Sequence, residues 1–349
     1  KPIVIITGCV AQAEGDILFK KEKYIDAILG PQSYHLLNKT LFNIEKKLNK
    51  INFTEFDVNE KFDDLSDIKN SCNDISSFLT IQEGCNKFCK FCVVPYTRGS
   101  EFSRSTIELF NECNDLVSNG AREIILLGQN VNAYNHKGIK LSKLIEKISK
   151  IKNLERIRYT TSHPSDFTED LIEAHKNFTK LMPLIHLPIQ SGSNKILRKM
   201  NRKHTIKEYL DIIYKLKKNN SEIRFSSDFI IGYPGENEKD FNDTLKLIKE
   251  VQFINCYSFI YSPRPGTPAA KLKQIKEIIS KKRLIIFQKK ASELKIIYKK
   301  KLFNSLSKVL FDNKLSDNNF FGRDEYLNSV IVKSNKNLLG KIKDVKIIK

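Results

Sequence analysis

The chain has 349 residues, which is enough for two or three domains with hydrophobic cores. Its hydrophobic content of 40% is ordinary for a soluble protein, and no apolar run approaches the ~18–20 residues of a membrane-spanning helix. Seven cysteines, three of them close together, argue against a secreted disulfide framework and favour a reducing compartment. The sequence therefore predicts a cytoplasmic protein that does not span a membrane.

The net charge of +20 is concentrated near the C-terminus. Residues 271–301 carry 12 lysines and arginines against 2 acidic residues. Abundant Lys, Asn and Ile also fit a biased codon usage, which by itself would have no functional meaning. A focused basic segment nevertheless favours a polyanionic partner, above all a nucleic acid.

Residues 1–75 are predicted to form a separate α/β domain followed by a linker. The runs "IVIITG" and "YIDAILG" are typical of buried strands, and the runs "AQAEGDILFKK" and "SYHLLNKTLFNIEKKL" are typical of helices. Residues 51–76 are polar and poorly periodic, which predicts the linker. Because the chain begins with Lys1 and enters a strand at once, we expect the natural protein to extend further upstream.

Six strands alternating with helices are predicted within residues 76–302. The strands are "SFLTIQE", "EIILLGQ", "RIRYTTS", "LIHLPI", "RFSSDFIIG" and "CYSFIYS". This alternation predicts a parallel sheet that curves into a barrel or partial barrel. Chemistry in such folds lies at the carboxyl ends of the strands. The unusual segments fall there: a cysteine cluster, "GQN", "SHP", "QSGS" and "GYPGE".

The C-terminal part of the chain changes character twice. Residues 269–302 are basic with apolar residues at helical spacing, which predicts one long helix. Residues 303–349 alternate short strand-like runs with turn residues, which predicts a small antiparallel β-barrel of the nucleic-acid-binding kind.

Cys85, Cys89 and Cys92 carry the strongest chemical signal. A structural zinc site needs four ligands and usually a paired pattern, but no second C-x-x-C follows. Cys72, in the predicted linker, would be a possible fourth ligand, so zinc remains an alternative. A 4Fe–4S cluster is normally held by four thiolates, and three leave one iron open to bind another molecule.

The spacing C-x-x-x-C-x-aromatic-C, with Phe91 as the aromatic residue, resembles the signature of radical S-adenosylmethionine (SAM) enzymes. The segments that resemble the methylthiotransferase family among these enzymes are "EGCNKFCKFCVVPYTRG", "LLGQNVNAY", "TTSHP", "HLPIQSGSNKILRKM", "DFIIGYPGE" and "YSPRPGTPAA". The resemblance covers essentially the whole chain. It implies that the open iron binds SAM, whose reductive cleavage yields a radical able to attack an unactivated C–H bond.

The resemblance also implies an activity. "VVPYTRG" and "TTSHP" favour the branch that methylthiolates carbon 2 of N6-dimethylallyladenosine at position 37 of tRNA. Branches that act on threonylcarbamoyl-adenosine or on a ribosomal protein are the alternatives within the family. A zinc-containing RNA-binding protein without enzymatic activity is the alternative outside it. The implied partners are the tRNA anticodon loop and a flavodoxin- or ferredoxin-like electron donor, with the enzyme as a monomer.

Cys9, in "ITGCVAQAEG", follows a predicted strand and precedes a helix. Without the resemblance it would be an ordinary half-buried thiol. Family members hold a second, auxiliary 4Fe–4S cluster with three cysteines, one in a similar motif, so the resemblance implies that Cys9 is a ligand. We expect its two partners upstream of Lys1, and therefore one complete cluster on this chain. Cys113 and Cys256 are predicted to be core residues.

The candidate SAM contacts are Phe91 in the cysteine motif and five residues near strand ends: Gln129, Gln190, Ser191, Ile230 and Gly232. The resemblance implies that Gln129 contacts the SAM amino group and that Gln190 and Ser191 contact the ribose. Ile230 and Gly232 are expected near adenine. Each of these strand-end segments also fits an ordinary βα turn.

The candidate RNA contacts are basic or aromatic: Arg98, Arg264, Lys281, Lys282, Phe321 and Arg323. The last two lie in the C-terminal barrel, which resembles a TRAM domain and combines aromatic faces with positive charge, as base stacking requires. Phe320 or Phe321 is expected to belong to the barrel core. His163 and His186 are predicted to be structural rather than acid–base groups.

Overall fold

The computed structural model describes residues 2–46, 50–55 and 74–348. Its strands are β1 (Ile5–Thr7), β2 (Ala27–Leu29), β3 (Ile51–Phe53), β4 (Ser76–Thr80), β5 (Gln82–Glu83), β6 (Phe102–Ser103), β7 (Glu123–Leu127), β8 (Asn135–His136), β9 (Ile139–Lys140), β10 (Arg156–Tyr159), β11 (Leu184–His186), β12 (Arg224–Ile231), β13 (Asn255–Ile260), β14 (Leu306–Ser316), β15 (Asn319–Arg323), β16 (Ser329–Lys333) and β17 (Ile342–Lys346). Its α-helices are α1 (Cys9–Glu14), α2 (Asp16–Lys21), α3 (Leu37–Glu45), α4 (Val94–Thr97), α5 (Thr106–Ser118), α6 (Leu141–Ser149), α7 (Glu169–Asn177), α8 (Asn194–Lys199), α9 (Ile206–Asn219), α10 (Glu238–Val251) and α11 (Glu277–Leu302).

The chain divides into two compact units, which are described separately. The first unit holds the described residues before position 56, together with Glu83–Phe102 and Ser262–Leu272. The second unit holds residues 74–82, Ser103–Tyr261 and the chain from Lys273 onward. No helix in the described part of the chain is both long and apolar enough to cross a membrane.

A parallel sheet in the order β1-β2-β3 forms the centre of the N-terminal part of the first unit. The predicted linker began too early, because Ile51–Phe53 pairs with Ala27–Leu29 and so satisfies the backbone groups of β2. The rest of that linker, positions 56–73 with Cys72, lies outside the described residues. The single helix predicted after β1 is two helices, since Gly15 takes a positive φ of 48° between them.

Six parallel strands form the barrel-like part of the second unit, as the sequence predicts. They lie in two sheets, β4-β7-β10 and β11-β12-β13, each in chain order. A parallel bridge between Ile157 and Leu181 links the third strand to the segment before the fourth. Helices α5, α6, α7, α9 and α10 lie between successive strands along the chain. This is the predicted β/α alternation, and it sets the carboxyl ends of the strands at one edge.

Helix α10 shows how local sequence sets these elements. Asn237 and Asp240 form a reciprocal capping box, in which each side chain accepts a hydrogen bond from the other residue's backbone N–H. The buried side chains recur at helical spacing and include Phe241, Leu247 and Val251. Each such large apolar side chain contributes about 1.5–3 kcal/mol when fully buried.

The basic helix α11 begins at Glu277, later than the predicted start at Ala269. The backbone is extended at Leu272, and Lys276 has a non-helical ψ of 130°, so a helix cannot continue through them. Ser280, Arg283 and Phe287 are its buried residues, and most of its lysines are exposed.

The C-terminal strands form an antiparallel sheet in the order β16-β15-β14-β17. Register shifts occur along β14, which is 11 residues long. Val309, Phe311 and Phe320 form the small core of this sheet together with Leu338. The predicted antiparallel sheet is confirmed, while no ladder within the described residues joins β16 to β17. Arg156 fixes the sheet to the parallel strands, because its guanidinium donates to two backbone carbonyls of the sheet at 2.8 and 2.9 Å.

Candidate functional site

Residues 84–99 of the first unit form the cysteine loop, which carries the three predicted cluster ligands. Cys89 is buried, while Cys85 and Cys92 are half-buried. The Cys92 N–H donates to the Cys89 carbonyl at 2.9 Å, and the Val94 N–H donates to the Cys92 sulfur at 3.5 Å. Phe88 takes a positive φ of 48°, which turns the chain between the first two cysteines.

The surroundings of Cys85 favour its neutral thiol over the thiolate. Burial raises the pKa of the Cys85 thiol to about 12, and the nearby Glu101, Cys89 and Cys92 act in the same direction. A buried thiol with neighbouring thiols ionises readily only when a metal supplies positive charge. Cys85 therefore suits a bound metal group and not a free reactive thiolate.

The two ends of the cysteine loop meet at a neck. The Arg98 guanidinium donates to Glu83 Oε1 at 2.7 Å, and the Cys85 N–H donates to the Gly99 carbonyl at 3.2 Å. Gly84 has a φ of +80°, and a Cβ atom there would lie 2.0 Å from the Ser100 carbonyl oxygen. Only glycine fits this close approach without a shift of the backbone.

Cys9 is the first residue of α1 and lies in the same unit as the cysteine loop. The Arg98 guanidinium also lies close to the Cys9 side chain, which helps to raise the pKa of Arg98. One arginine thus lies close to both the neck of the cysteine loop and the predicted auxiliary ligand. No second cysteine accompanies Cys9 within the described residues 2–46 and 50–55.

The donor set is compatible with an iron–sulfur cluster. Cys85, Cys89 and Cys92 supply three thiols on one loop with a closed neck. In a 4Fe–4S cluster each thiolate binds a different iron. No group of three or more His, Cys, Asp or Glu side chains that could hold a single metal ion occurs in the described ranges 2–46, 50–55 and 74–348.

Two of the predicted SAM contacts lie beyond the carboxyl ends of β7 and β11 in the second unit. The backbone N–H groups of Gln129 and Asn130 both donate to Gln82 Oε1, at 3.1 and 3.0 Å. Gln190 has a φ of +77°, which is uncommon for a residue with a Cβ atom and often marks a functional constraint. Its carbonyl accepts from the Ile230 N–H at 3.0 Å, so the ends of β11 and β12 are held side by side.

Ser191 and Gly232 lie in tightly packed turns. The buried Ser191 hydroxyl accepts from the Ser193 N–H at 3.2 Å. Gly232 has a φ of +74°, and a Cβ atom there would lie 2.2 Å from the Ser280 hydroxyl of α11. The structure thus brings Gln190, Ile230 and Gly232 together at the ends of adjacent strands, as an enzyme of this fold requires.

An ion pair behind this edge was missed by sequence reasoning. Glu236 accepts hydrogen bonds from the Gly232 N–H at 3.1 Å and from the Arg283 guanidinium at 2.9 Å. Burial raises the pKa of the Glu236 carboxyl to about 7, although Arg283 acts in the opposite direction. The pair ties the "GYPGE" turn to α11. In the sequence, Arg283 is one of many basic residues in the segment 271–301. Its burial in the folded chain distinguishes it from the exposed lysines around it.

The predicted RNA contacts have mixed surroundings. Arg264, Lys281 and Lys282 are exposed, and Lys281 lies 2.7 Å from Glu277 one turn earlier in α11. The Arg323 guanidinium lies 5.4 Å from the centre of the half-buried Phe321 ring, and 3.6 Å from Asp312.

Phe320, by contrast, is buried in the core of the C-terminal sheet, which confirms that one of the two phenylalanines is structural. Cys113 is fully buried and the half-buried Cys256 packs against the same core, also as predicted.

The two histidines with predicted structural roles differ. His163 is buried, accepts from the Ser165 N–H at 3.2 Å and contacts the His204 ring edge-on, which suits a structural role. His186 is only half-buried and lies 3.5 Å from Asp228 inside the parallel strands. The sequence did not predict the pair of His186 and Asp228, because the two residues lie on different strands, β11 and β12, which become neighbours only in the folded sheet.

Comparison with known proteins identifies the class. The model of the radical SAM superfamily matches residues 79–248. Among solved structures, the radical SAM methyltransferase TsrM from Kitasatospora setae is similar with a TM-score of 0.56 at 12% identity, over 77% of this chain and 57% of that chain. The cobalamin-dependent SAM radical enzyme OxsB is similar with a TM-score of 0.53 at 12% identity, over 96% of this chain and 51% of that chain. At such identities the likeness shows the fold, which is that of a radical SAM protein.

Two curated relatives are far more similar in sequence. The tRNA-2-methylthio-N(6)-dimethylallyladenosine synthase of Pelagibacter ubique (strain HTCC1062) is 56% identical, over 100% of this chain and 79% of the relative. The synthase of the same name from Rickettsia typhi (strain ATCC VR-144 / Wilmington) is 50% identical, over 99% of this chain and 80% of the relative. The chain belongs to the family of tRNA-2-methylthio-N(6)-dimethylallyladenosine synthases. The predicted family and branch are thereby confirmed.

Proposed function

We propose that this chain is the radical SAM transferase that adds a methylthio group to carbon 2 of N6-dimethylallyladenosine at position 37 of tRNA. The observation that carries this proposal is a closed loop with three cysteines. It lies on a chain that is 50–56% identical, over 99–100% of its length, to synthases of that name. The alternatives were another methylthiotransferase substrate and a zinc-containing RNA-binding protein. The names of the relatives support neither of these two alternatives.

We assign the cluster ligands to Cys85, Cys89 and Cys92, with the open iron as the binding position for SAM. When bound, the cluster and SAM supply one-electron cleavage and a radical that removes hydrogen from an unreactive carbon. The protein's own task is to hold three thiols at fixed separations, which the Arg98–Glu83 neck supports. Cys9 is our proposed ligand of a second, auxiliary 4Fe–4S cluster, and its proximity to Arg98 supports a position near the first.

The SAM contacts are proposed to be Phe91 beside the cysteines and the five strand-end residues Gln129, Gln190, Ser191, Ile230 and Gly232. The hydrogen bonds that fix the backbone at Gln129 and Gln190 support this assignment, because a rigid edge holds a ligand without further ordering. The Glu236–Arg283 pair has a positioning role, since it holds the Gly232 turn.

We assign three domains: an N-terminal methylthiotransferase part in residues 1–75, the radical SAM core with its basic helix in residues 76–302, and a TRAM-like RNA-binding barrel in residues 303–349. The proposed tRNA contacts are Arg98, Arg264, Lys281, Lys282, Phe321 and Arg323. The stacking of Arg323 on Phe321 supports the last two, because a flat cation over a ring extends the surface on which a base can stack. A monomer in the cytoplasm, reduced by a flavodoxin- or ferredoxin-like protein, completes the proposal.

Nucleoside mass spectrometry tests this function. Deleting the gene from its host should remove 2-methylthio-N6-dimethylallyladenosine from digested tRNA and leave N6-dimethylallyladenosine in its place. Restoring the parent gene should restore the methylthio nucleoside, while restoring a Cys89→Ala gene should not. An unchanged amount of the methylthio nucleoside in the deletion strain would refute the assignment.

A further inference from the structure

Thr161, two residues beyond the end of β10, has an unusual backbone conformation. Its φ is +66°, and it is the one β-branched residue with a positive φ in the part of the chain that the structure describes. The two heavy atoms on its Cβ crowd the backbone in this region, which glycine and asparagine adopt far more readily. Such conformations persist only where the surrounding structure imposes them, and they are concentrated at active sites and ligand-binding sites.

Hydrogen bonds on both sides of Thr161 impose this conformation. The Thr161 carbonyl accepts from the Val131 N–H at 2.9 Å, in the turn after β7. The His163 N–H donates to Asn132 Oδ1, and the Asn132 side-chain amide donates to the His163 carbonyl, both at 2.8 Å. Asn132 and His163 are both buried, so water does not compete for this reciprocal pair. The segment therefore cannot relax around Thr161 without breaking one of these bonds.

The same hydrogen bonds leave Thr161 exposed among buried neighbours. Ser162, His163 and Pro164 follow it and are buried, whereas Thr161 itself is exposed at the carboxyl edge of the parallel strands. The Ser162 hydroxyl has no hydrogen-bond partner among the described residues, although Ser162 is only 6% exposed. A buried hydroxyl without a protein partner indicates that a ligand or an ordered water completes this strand end.

Thr161 lies between two of the proposed SAM contacts. Its strand, β10, pairs with β7, which leads to Gln129. On the other side, the bridge between Ile157 and Leu181 links β10 to the segment before β11, which leads to Gln190. The proposed function assigns the SAM amino group to Gln129 and the ribose to Gln190. The intermediate strand end therefore faces the methionine part of SAM, whose carboxylate is bonded to the same carbon as the amino group.

We propose that the Thr161 hydroxyl donates a hydrogen bond to the methionine carboxylate of SAM, and that the strained backbone of Thr161 aims the hydroxyl at this group. A hydrogen bond to a charged acceptor is stronger than one between neutral groups, so a single hydroxyl contributes measurably to affinity. The backbone is already fixed before the ligand arrives, which lowers the ordering cost of binding. The inference rests on the proposed function for the identity of the ligand as SAM.

Substitutions that remove or keep the hydroxyl test the contact. The full chain, reconstituted with iron and sulfide, is dialysed against SAM without a reductant, so that no cleavage occurs. Thr161→Val keeps the β-branched shape, loses the hydroxyl and should raise the Kd for SAM about tenfold. Thr161→Ser keeps the hydroxyl and should bind SAM within about twofold of the parent. Equal affinity of Thr161→Val and the parent would overturn the proposal.

A second ligand tests which part of SAM is bound. The compound 5′-methylthioadenosine keeps the adenosine and the sulfur but lacks the methionine carboxylate. It should therefore bind equally to Thr161→Val and the parent. An equal loss of affinity for both ligands would overturn the assignment to the carboxylate. So would normal SAM binding by Thr161→Val with weakened binding of an RNA hairpin that carries N6-dimethylallyladenosine, since Thr161 would then contact the RNA.

Glycine variants test the strain. Thr161→Gly should raise the unfolding temperature by about 2 °C, because glycine adopts a positive φ without crowding, and it should still weaken SAM binding about tenfold. Gln252→Gly is the matched control, since Gln252 has a φ of +58° at the end of α10. The control should also unfold at a higher temperature, with unchanged SAM affinity. An unfolding temperature of Thr161→Gly below that of the parent would overturn the strain argument.

The two proposals fail separately. SAM binding needs neither tRNA nor turnover, so the Thr161 variants can show the expected affinities even if the deletion strain keeps its methylthio nucleoside. Conversely, a normal methylthio product together with unchanged SAM affinity of Thr161→Val would remove only this inference. If Thr161→Val fails to fold, as circular dichroism would show, Thr161→Ala also lacks the hydroxyl and decides the result.

Discussion

The Arg98 guanidinium and the Glu83 carboxylate lie 2.7 Å apart and close the neck of the cysteine loop. Glu83 precedes the first cysteine and Arg98 follows the last, so one ion pair fixes the separation of the loop ends. The Glu83 side chain is only 7% exposed, and the pair is therefore partly shielded from water. Removing one member of such a pair costs more than breaking a surface pair.

Arg98→Met should loosen the neck of the cysteine loop. The Glu83 carboxylate would lose its charged partner, at a cost of about 1–3 kcal/mol. We expect the reconstituted variant to lose iron to a chelator faster than the parent does. Arg98→Lys keeps the charge and should lie between the two. Identical iron loss from Arg98→Met and the parent would show that the pair does not support the loop.

Gly84→Ala should prevent cluster assembly, because its Cβ would collide with the Ser100 carbonyl oxygen 2.0 Å away. Gly138→Ala is the matched control, since Gly138 has a similar φ of +86° and open space around it. The control should cost only the backbone strain of about 1 kcal/mol. Iron and sulfide content after anaerobic reconstitution measures the difference. Equal cluster content in the two variants would contradict the steric argument.

Cys89→Ala should abolish SAM cleavage and leave tRNA affinity nearly unchanged, because the substitution removes a cluster ligand and no cation. Cys113→Ala removes a buried thiol of the core and should keep the cluster, with only a modest loss of stability. Methionine release from SAM under reducing conditions measures the first effect. Equal release by Cys89→Ala and the parent would exclude Cys89 as a ligand.

Acid should destabilise the second unit through two buried histidines. Burial lowers the pKa of both His175 and His204 to about 3. Below the ordinary pKa of 6.5, these histidines bind protons in the unfolded chain but stay neutral in the folded chain. The free energy of unfolding therefore decreases as the pH falls from 6.5 towards 3.

The slope is about 1.4 kcal/mol per pH unit for each histidine. Urea unfolding at a series of pH values should show His175→Gln with a smaller slope than the parent. An unchanged slope in His175→Gln would mean that His175 is not the titrating group.

Local pattern was sufficient for the repeating elements. The six parallel strands and helices such as α10 follow from runs whose period matches one face of a strand or helix, and the start of α10 is set by the capping box of Asn237 and Asp240. The start of α11 and the strand Ile51–Phe53 were misjudged. In both cases the sequence is compatible with more than one conformation, and contacts made far along the chain select among them.

The sequence by itself determined the cysteine loop and its chemistry, because three thiols at fixed spacing on one short segment are close in any fold. It also determined the family, through ordered motifs along the whole chain. Only the tertiary structure decided that Arg98 pairs with Glu83 and lies close to Cys9, that Glu236 pairs with Arg283, and that the turn after β7 holds the segment around Thr161. These contacts join residues far apart in the chain. The periodic pattern of the sequence does not predict them, because the folded chain decides which distant side chains become neighbours.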